Sequence, residues 1–177
     1  MAEYTKQELE LIVAKSIHKD DLNRRDICPI YRNMEELDKL LTYLAEPYQG
    51  KVDLVAAPEP LGFIAGGMIA QKLGVGFIPI RLGGAAPLPK SDVIRASYID
   101  HFDHVRSLQI RKSNFPAGSR VLIVDDWIET AATMQTCISV IEEAEGSIEG
   151  IVSFGVNDNP FTQKMIESGQ LRTIYCM

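Results

Sequence analysis

A run of four apolar residues, Val121–Val124, leads directly into two aspartates and then into a short segment of hydroxyl and small residues. So short an apolar run predicts a strand that is buried on both faces. The pattern over Thr133–Ala144, followed by Gly146 as an expected C-cap, predicts a helix right after the turn. Because strand, turn and helix together form the repeating unit of α/β folds, this segment favours a parallel sheet covered by helices on both faces.

The rest of the chain alternates in the same way. Apolar runs predict further strands at Val52–Ala57, Gly76–Ile80, Ile148–Phe154 and Leu171–Tyr175. Amphipathic stripes predict helices at Lys6–Ile17, Met34–Leu44, Gly62–Leu73 and Phe161–Ser168, with Met34 on the buried face of its helix. A chain of 177 residues is enough for one such domain and short for two. We therefore expect a single α/β domain in which ligands bind at the carboxyl ends of the strands.

One segment, Gly83–His104, interrupts this alternation. It contains adjacent glycines and the prolines Pro87 and Pro89. A connection of about 20 residues is long for a passive link inside a compact domain. We expect a flexible loop or a hairpin that covers the site, in preference to an insertion without a role.

Composition excludes several classes of function. The formal net charge of −6 argues against bulk binding to nucleic acid or to an anionic membrane. No apolar run is long enough for a membrane span, and the first residues lack the pattern of a signal peptide. The three cysteines are widely spaced, which is typical of reduced thiols in a cytoplasmic protein. We expect no nucleic-acid partner and no membrane partner.

The residues that follow the apolar run suit a phosphorylated sugar. Successive N–H groups of the turn and of the helix N-terminus would surround a phosphate dianion, and Thr130 and Thr133 would add hydroxyl donors. Asp125 and Asp126 can bond sugar hydroxyls and bind Mg²⁺ indirectly, through water. A buried strand that ends in an acidic turn before an N-capped helix would give the same pattern without any ligand.

Val121–Met134 resembles the ribose-phosphate-binding motif of type I phosphoribosyltransferases, in which four apolar residues and Asp-Asp precede Thr-Gly-Gly-Thr. Further segments resemble the adenine (purine) enzymes of this family in order and spacing, over roughly residues 24–153. These segments are Arg25-Asp26-Ile27-Cys28-Pro29 in the purine pocket, Pro58–Phe63 in the first pyrophosphate loop, Arg81 with Gly84, and Ala96-Ser97-Tyr98 in the flexible loop.

The resemblance implies an activity: transfer of phosphoribosyl from 5-phosphoribosyl 1-pyrophosphate (PRPP) to a purine base, with Mg²⁺ present and pyrophosphate released. It also implies a homodimer, a hood of about residues 1–50 over the base, and a core of about residues 51–177. The implied catalytic residues are His101, Asp125 and Asp126. The implied ribose-phosphate residues are Asp125, Asp126, Glu129, Thr130, Ala131, Ala132 and Thr133. The implied pyrophosphate residues are Glu59, Pro60, Leu61, Arg81, Ser97 and Tyr98, and those for the base are Arg25 and Ile27.

The sequence departs from the family at several of these positions. Ala131-Ala132 replaces Gly-Gly, and a turn residue with positive φ would be strained by its Cβ, at a cost of roughly 1–2 kcal/mol. Leu61 and Leu82 stand where the adenine enzymes have an arginine and a lysine, and His101 stands where a loop glutamate is expected.

Two hypotheses accommodate these departures. In the first, the chain is an active transferase. Pyrophosphate is bound by Mg²⁺, by backbone amides and by the side chains of Arg81, Arg95, Ser97 and Tyr98, and His101 handles the proton. In the second, it is a non-catalytic sensor or accessory protein that binds a nucleoside monophosphate or a ribose phosphate. Trp127, directly after the aspartates, is expected to anchor the core beneath the turn more than to touch ligand.

Overall fold

The computed structural model describes residues 4–21, 25–84, 88–99 and 104–177. The helices are α1 (Lys6–Ser16), α2 (Met34–Ala45), α3 (Gly62–Leu73), α4 (Ala131–Glu143) and α5 (Pro160–Glu167). The strands are β1 (His18–Lys19), β2 (Arg25–Asp26), β3 (Leu54–Pro58), β4 (Gly76–Leu82), β5 (Val93–Ile99), β6 (Val105–Arg111), β7 (Arg120–Ile128), β8 (Ser147–Val156) and β9 (Leu171–Cys176). In these ranges no helix is long and apolar enough to cross a membrane.

Seven strands form one mixed sheet in the order β5-β6-β4-β3-β7-β8-β9. Five neighbouring strands of this sheet pair in parallel, as the alternating pattern predicted: β4, β3, β7, β8 and β9. The other two, β5 and β6, form an antiparallel hairpin, and β6 joins β4 through two residue pairs. The fold is therefore α/β with a parallel centre and an antiparallel edge.

The central strand β7 is buried on both faces, which explains its uninterrupted apolar run. Leu122 and Val124 belong to the core cluster beneath α1, α2 and α3. Val121 and Ile123 belong to the second cluster, formed with α4 and with the inner half of the hairpin. Because neighbouring residues of a strand point to opposite faces, each pair serves a different core.

The structure corrects the predicted end of β7 and the predicted start of α4. The apolar strand continues to Ile128, so that Asp125 and Asp126 lie within β7 and not after its end, and α4 begins at Ala131. The segment expected as a loop or hairpin contains β5 and leads into β6, so the hairpin prediction is confirmed for its described residues. Met34 is 61% exposed, since the first position of α2 lies beyond the buried stripe.

The end of α4 also differs from prediction. The residue with left-handed backbone is Glu145, with φ of 63°, and not Gly146. The N–H of Gly146 donates to the carbonyl of Ile141 at 2.9 Å, closing the helix. A Cβ at Gly146 would lie 2.7 Å from Cζ of Phe115. The glycine is therefore required for close packing rather than for its backbone conformation.

Candidate active site

A cavity of about 390 Å³ opens at the carboxyl end of β7. Its walls come from the end of β7, the first turn of α4, the end of β4 and the β5–β6 hairpin. The lining residues are Leu82, Tyr98, Arg106, Asp125, Trp127, Ile128, Glu129, Thr130, Thr133 and Met134. The position agrees with the rule that ligands of open α/β sheets bind beyond the carboxyl ends of the strands.

The first turn of α4 forms an anion cradle. Thr130 has extended backbone, with φ of −121° and ψ of 158°, and immediately precedes the helix. Its hydroxyl makes no capping hydrogen bond, so it is available to a ligand in the cavity, which Thr133 also lines. The first N–H groups of a helix have no partner within the helix, and the helix dipole favours an anion there. No acidic residue lies in this first turn.

The alanines at the cradle do not introduce strain. Ala131 and Ala132 are the first two residues of α4 and have ordinary helical backbone. Among the residues that the structure describes, Glu145 is the only non-glycine with positive φ. The strain expected from replacing Gly-Gly is therefore absent, and the backbone N–H groups remain.

Asp125 and Asp126 are neighbours in β7, and Asp125 lines the cavity. Asp125 is only 9% exposed, and its Oδ1 accepts the backbone N–H of Asp126 at 2.9 Å. Burial, with the neighbouring charge of Asp126, raises the pKa of Asp125 well above its ordinary value, and burial also raises the pKa of Asp126. Carboxylates whose burial is only partly compensated by hydrogen bonds gain stability from hydroxyl donors supplied by a ligand.

Helix α3 approaches this pair closely. A Cβ at Gly62, the first residue of α3, would lie 3.1 Å from Oδ1 of Asp125. The described residues contain no group of three or more histidine, cysteine or acidic side chains able to hold a metal. Two adjacent carboxylates without a protein cage fit Mg²⁺, which commonly keeps several waters and binds substrate phosphates.

The predicted pyrophosphate loop carries a carboxylate and not a cation. Oε2 of Glu59 accepts the backbone N–H of Leu82 at 3.1 Å and lies 3.5 Å from Nε of Arg81. A cis peptide bond joins Glu59 to Pro60, and the half-buried Leu61 precedes α3. Leu82 lines the cavity, whereas Glu59, Leu61 and Arg81 are not among its lining residues. The charge of Arg81 is therefore partly balanced by Glu59 before any ligand binds.

The hairpin supplies the opposite wall. Tyr98 of β5 faces Arg106 of β6 in the antiparallel register, and both line the cavity. Ser97 is exposed and pairs with Ser107. Arg95 donates to Oε1 of Gln109, at 2.6 Å from Nη2 and 3.1 Å from Nε.

Sequence reasoning missed Arg106, a basic residue that lies two positions after the end of the segment expected as a loop. His101 lies outside the described residues, so its predicted role stays a prediction.

A second cluster lies beside the cavity, around Trp127. The guanidinium carbon of Arg25 lies 4.7 Å from the centre of the indole ring, and Nη2 of Arg25 lies 3.3 Å from Oε1 of Glu129. Asn157 bonds both Arg25 and Trp127. Ile27, the other residue predicted for the base, is 2% exposed and packs in the core. Trp127 packs in that core, as expected, and it also lines the cavity.

Comparisons with known proteins agree on one family. The family model described as phosphoribosyl transferase domain matches residues 29–174. An adenine phosphoribosyltransferase of Thermoanaerobacter sp. (strain X514) is 30% identical over 151 residues, which cover 84% of this chain and 85% of the relative. One from Caldanaerobacter subterraneus subsp. tengcongensis is 33% identical over 135 residues, covering 76% of each chain.

Solved structures give the same result. The crystal structure of adenine phosphoribosyltransferase from Thermoanaerobacter pseudethanolicus has a TM-score of 0.83 and 26% identity, and the match covers 98% of this chain and 100% of that one. The enzyme from Saccharomyces cerevisiae, complexed with an imino-altritol bisphosphate and adenine, has a TM-score of 0.79 and 25% identity, with 95% and 99% covered.

Proposed function

Because this chain belongs to the phosphoribosyl transferase family, we propose that it is a purine phosphoribosyltransferase of the adenine type, which transfers phosphoribosyl from PRPP to the base. One observation carries this proposal. The free hydroxyl of Thr130, the first turn of α4 and the buried carboxylate of Asp125 converge on a single cavity. A phosphate site beside a hydroxyl-binding carboxylate pair matches the two ends of a ribose 5-phosphate.

The chain's own groups account for most of the chemistry. The N–H groups of α4, with Thr130 and Thr133, would hold the 5′-phosphate, and Asp125 and Asp126 would hold the ribose hydroxyls. The bond from the anomeric carbon to pyrophosphate breaks as a nitrogen of the base bonds to that carbon. The base loses one proton in this step, and His101 is the group predicted to accept it. Catalysis then consists of holding base and sugar in line and of stabilising the charge that develops between them.

Mg²⁺ is the cofactor that this proposal requires. Asp125 and Asp126 would bind it through water, and the ion would neutralise charge on the departing pyrophosphate. With Leu61 and Leu82 in place of two cations, the chain depends on Arg81, Arg106 and the metal for that task. Arg81 would reach pyrophosphate only in competition with Glu59, which lies 3.5 Å from its Nε.

The weak pyrophosphate side also supports a second candidate function. The cavity keeps the phosphate cradle and the aspartates, but Leu61 and Leu82 stand in place of two cations that would bind pyrophosphate. Such a cavity would suit a nucleoside monophosphate. The chain would then be a non-catalytic sensor or accessory protein. The two functions differ in their need for Mg²⁺, since a sensor without pyrophosphate gains little from the ion.

Turnover distinguishes them. The purified protein is incubated with Mg²⁺, PRPP and each of adenine, hypoxanthine, guanine and xanthine, while pyrophosphate release and nucleotide formation are followed. We expect product with adenine and little with the other bases. If no base gives product, and calorimetry shows that adenosine monophosphate still binds without Mg²⁺, the transferase proposal is wrong and the sensor is supported.

We also propose, from the family resemblance, that the protein acts as a cytoplasmic homodimer. Light scattering should give twice the 19.7 kDa of one chain. A mass equal to one chain across the working concentration range would contradict the dimer.

A further inference from the structure

One side-chain oxygen joins two planar groups that come from distant parts of the chain. Oδ1 of Asn157 accepts from Nη1 of Arg25 at 2.6 Å and from Nε1 of Trp127 at 2.9 Å. The guanidinium of Arg25 lies over the indole at 4.7 Å from the ring centre. A carbonyl oxygen has two lone pairs, and here both meet an N–H donor. Asn157 therefore fixes the orientation of both planes relative to each other.

The backbone of Asn157 is held independently of its side chain. Its N–H donates to the carbonyl of Ile128 at 2.8 Å. Its carbonyl accepts from Nδ2 of Asn159 at 3.0 Å and from Oγ1 of Thr162 at 2.8 Å. Because three hydrogen bonds anchor the main chain at this turn, a substitution at Asn157 changes mainly what happens at Oδ1.

The guanidinium is confined as well. The Arg25 side chain is 13% exposed, and its Nε is buried without a hydrogen-bond partner. Its Nη2 lies 3.3 Å from Oε1 of Glu129, which is half exposed and lines the cavity with Trp127. A charged hydrogen bond to Asn157 therefore contributes much of the order at this buried cation.

The indole is equally restricted. The space that a side chain would occupy at Gly155 is filled by the ring of Trp127. Indole and guanidinium planes are both good stacking surfaces for a heterocyclic base. Trp127 lines the cavity and Arg25 lies against its ring, so the two planes are held in a fixed arrangement beside the cavity.

We propose that Asn157 is a positioning residue, which holds Arg25 and Trp127 as one wall of the base subsite. The inference rests on the proposed function, because it assigns this wall to the base of that reaction. Its essential element is the acceptor oxygen, and a carboxylate at this position supplies the same acceptor.

Three variants test this requirement. Asn157→Asp keeps an acceptor oxygen for both donors. Asn157→Leu removes the acceptor at similar side-chain volume. Asn157→Ser has a shorter side chain, whose oxygen is too far away to accept from both donors. Asn114→Leu, at an exposed asparagine near the start of β7, is the matched control. For each variant the KM for adenine and the KM for PRPP are measured separately, with the melting temperature.

We expect the KM for adenine to rise about tenfold in the Leu and Ser variants, the loss expected of a charged hydrogen bond. The KM for PRPP should stay within about twofold, and the Asp variant and the control should resemble wild type. Equal KM increases for both substrates, no increase for adenine, or an Asp variant as impaired as Ser would overturn the proposal. If the Leu variant does not fold, the comparison of Ser with Asp decides.

The single tryptophan separates this test from the proposed function. If wild type shows no turnover, adenosine monophosphate is titrated while the fluorescence of Trp127 is followed. Saturable quenching in wild type and the Asp variant, with about tenfold weaker binding in the Ser variant, would keep Asn157 as a positioning residue for a bound base. Quenching that is equal in all variants would overturn that role, whatever the turnover result.

Discussion

The two ends of the proposed site, which would bind the 5′-phosphate and the pyrophosphate, differ in how they tolerate sequence change. At the start of α4, two glycines of the family motif are alanines, and the cradle keeps its N–H groups without strain. At the Glu59–Arg81 side, leucines replace two cations of the family. The charge of Arg81 is partly balanced by the carboxylate of Glu59, whose Oε2 lies 3.5 Å from Nε of Arg81. A site made from backbone survives substitution, because each residue still has its N–H. A site made from side-chain charge loses that charge when the residue changes.

The sharpest challenge to this comparison is at the aspartates. Asp126→Asn should lower kcat/KM by about 100-fold or more, because the sugar hydroxyls lose a charged acceptor in the transition state. Steady-state pyrophosphate release measures the effect. Asp38→Asn, at an exposed acid paired with Lys72 on α2 and α3, is the control and should match wild type. An Asp126→Asn enzyme within about threefold of wild type would remove the aspartate from the reaction.

Restoring the lost cations tests the other end. Leu61→Arg with Leu82→Lys should lower the KM for PRPP about tenfold, because charge-assisted hydrogen bonds to pyrophosphate are strong. The KM for adenine should change little. Leu11→Lys, at a leucine that is 55% exposed on α1, controls for added positive charge. A double variant without tighter PRPP binding would mean that cations at these positions are not what limits this end.

We expect the buried carboxylate of Asp125 to lower the free energy of unfolding. Asp125→Asn should raise the free energy of unfolding by about 1 kcal/mol near neutral pH, because an amide needs no charge solvation.

The pH dependence of this difference follows from the raised pKa values of Asp125 and Asp126. The folded state binds the proton more tightly than the unfolded state. Stability from the protonated form is present below the ordinary pKa of 3.8 and is lost as pH rises through the raised pKa. The gain in melting temperature of Asp125→Asn over wild type should therefore grow from acid toward neutral pH. A constant difference would contradict this account.

The smallest effect is expected at the cradle. Restoring Gly-Gly by Ala131→Gly with Ala132→Gly should leave phosphate affinity within about twofold, since the N–H groups do not change. It should lower the free energy of unfolding by up to about 1 kcal/mol per residue, the difference between glycine and alanine in a helix. Calorimetry with ribose 5-phosphate and thermal unfolding measure the two. Affinity that improves about tenfold would show that the alanine side chains obstruct the cradle.

Periodicity predicted the parts of the fold that repeat. The apolar run before Asp125 and the stripes of α1 and α3 gave those elements within a few residues, because burial imposes a regular period. The polar outer half of the β5–β6 hairpin lacks a buried period, and so β6 and Arg106 were not found. The continuation of β7 past the aspartates was missed for a similar reason, since carboxylates are unusual inside a buried strand.

Proximity in the site was predictable only within the strand–turn–helix segment. The spacing from Asp125 to Thr133 placed these residues around one cavity, because a strand end and a helix start must be adjacent. The link from Arg25 to Trp127 and Asn157 joins residues 132 positions apart and depends on the final packing. The pairing of Glu59 with Arg81 likewise needs the register between β3 and β4.

The hairpin changes from buried to exposed along its length. Ile94, Leu108 and Ile110 at its base are buried in the core, whereas Ile99 and Val105 at the far end are 64% and 76% exposed. Bending the outer half therefore removes little apolar area from contact, while bending the base would open the core. Ser97 and Arg106 lie on that outer half. The outer half of the hairpin can therefore bend while the seven-stranded sheet stays intact.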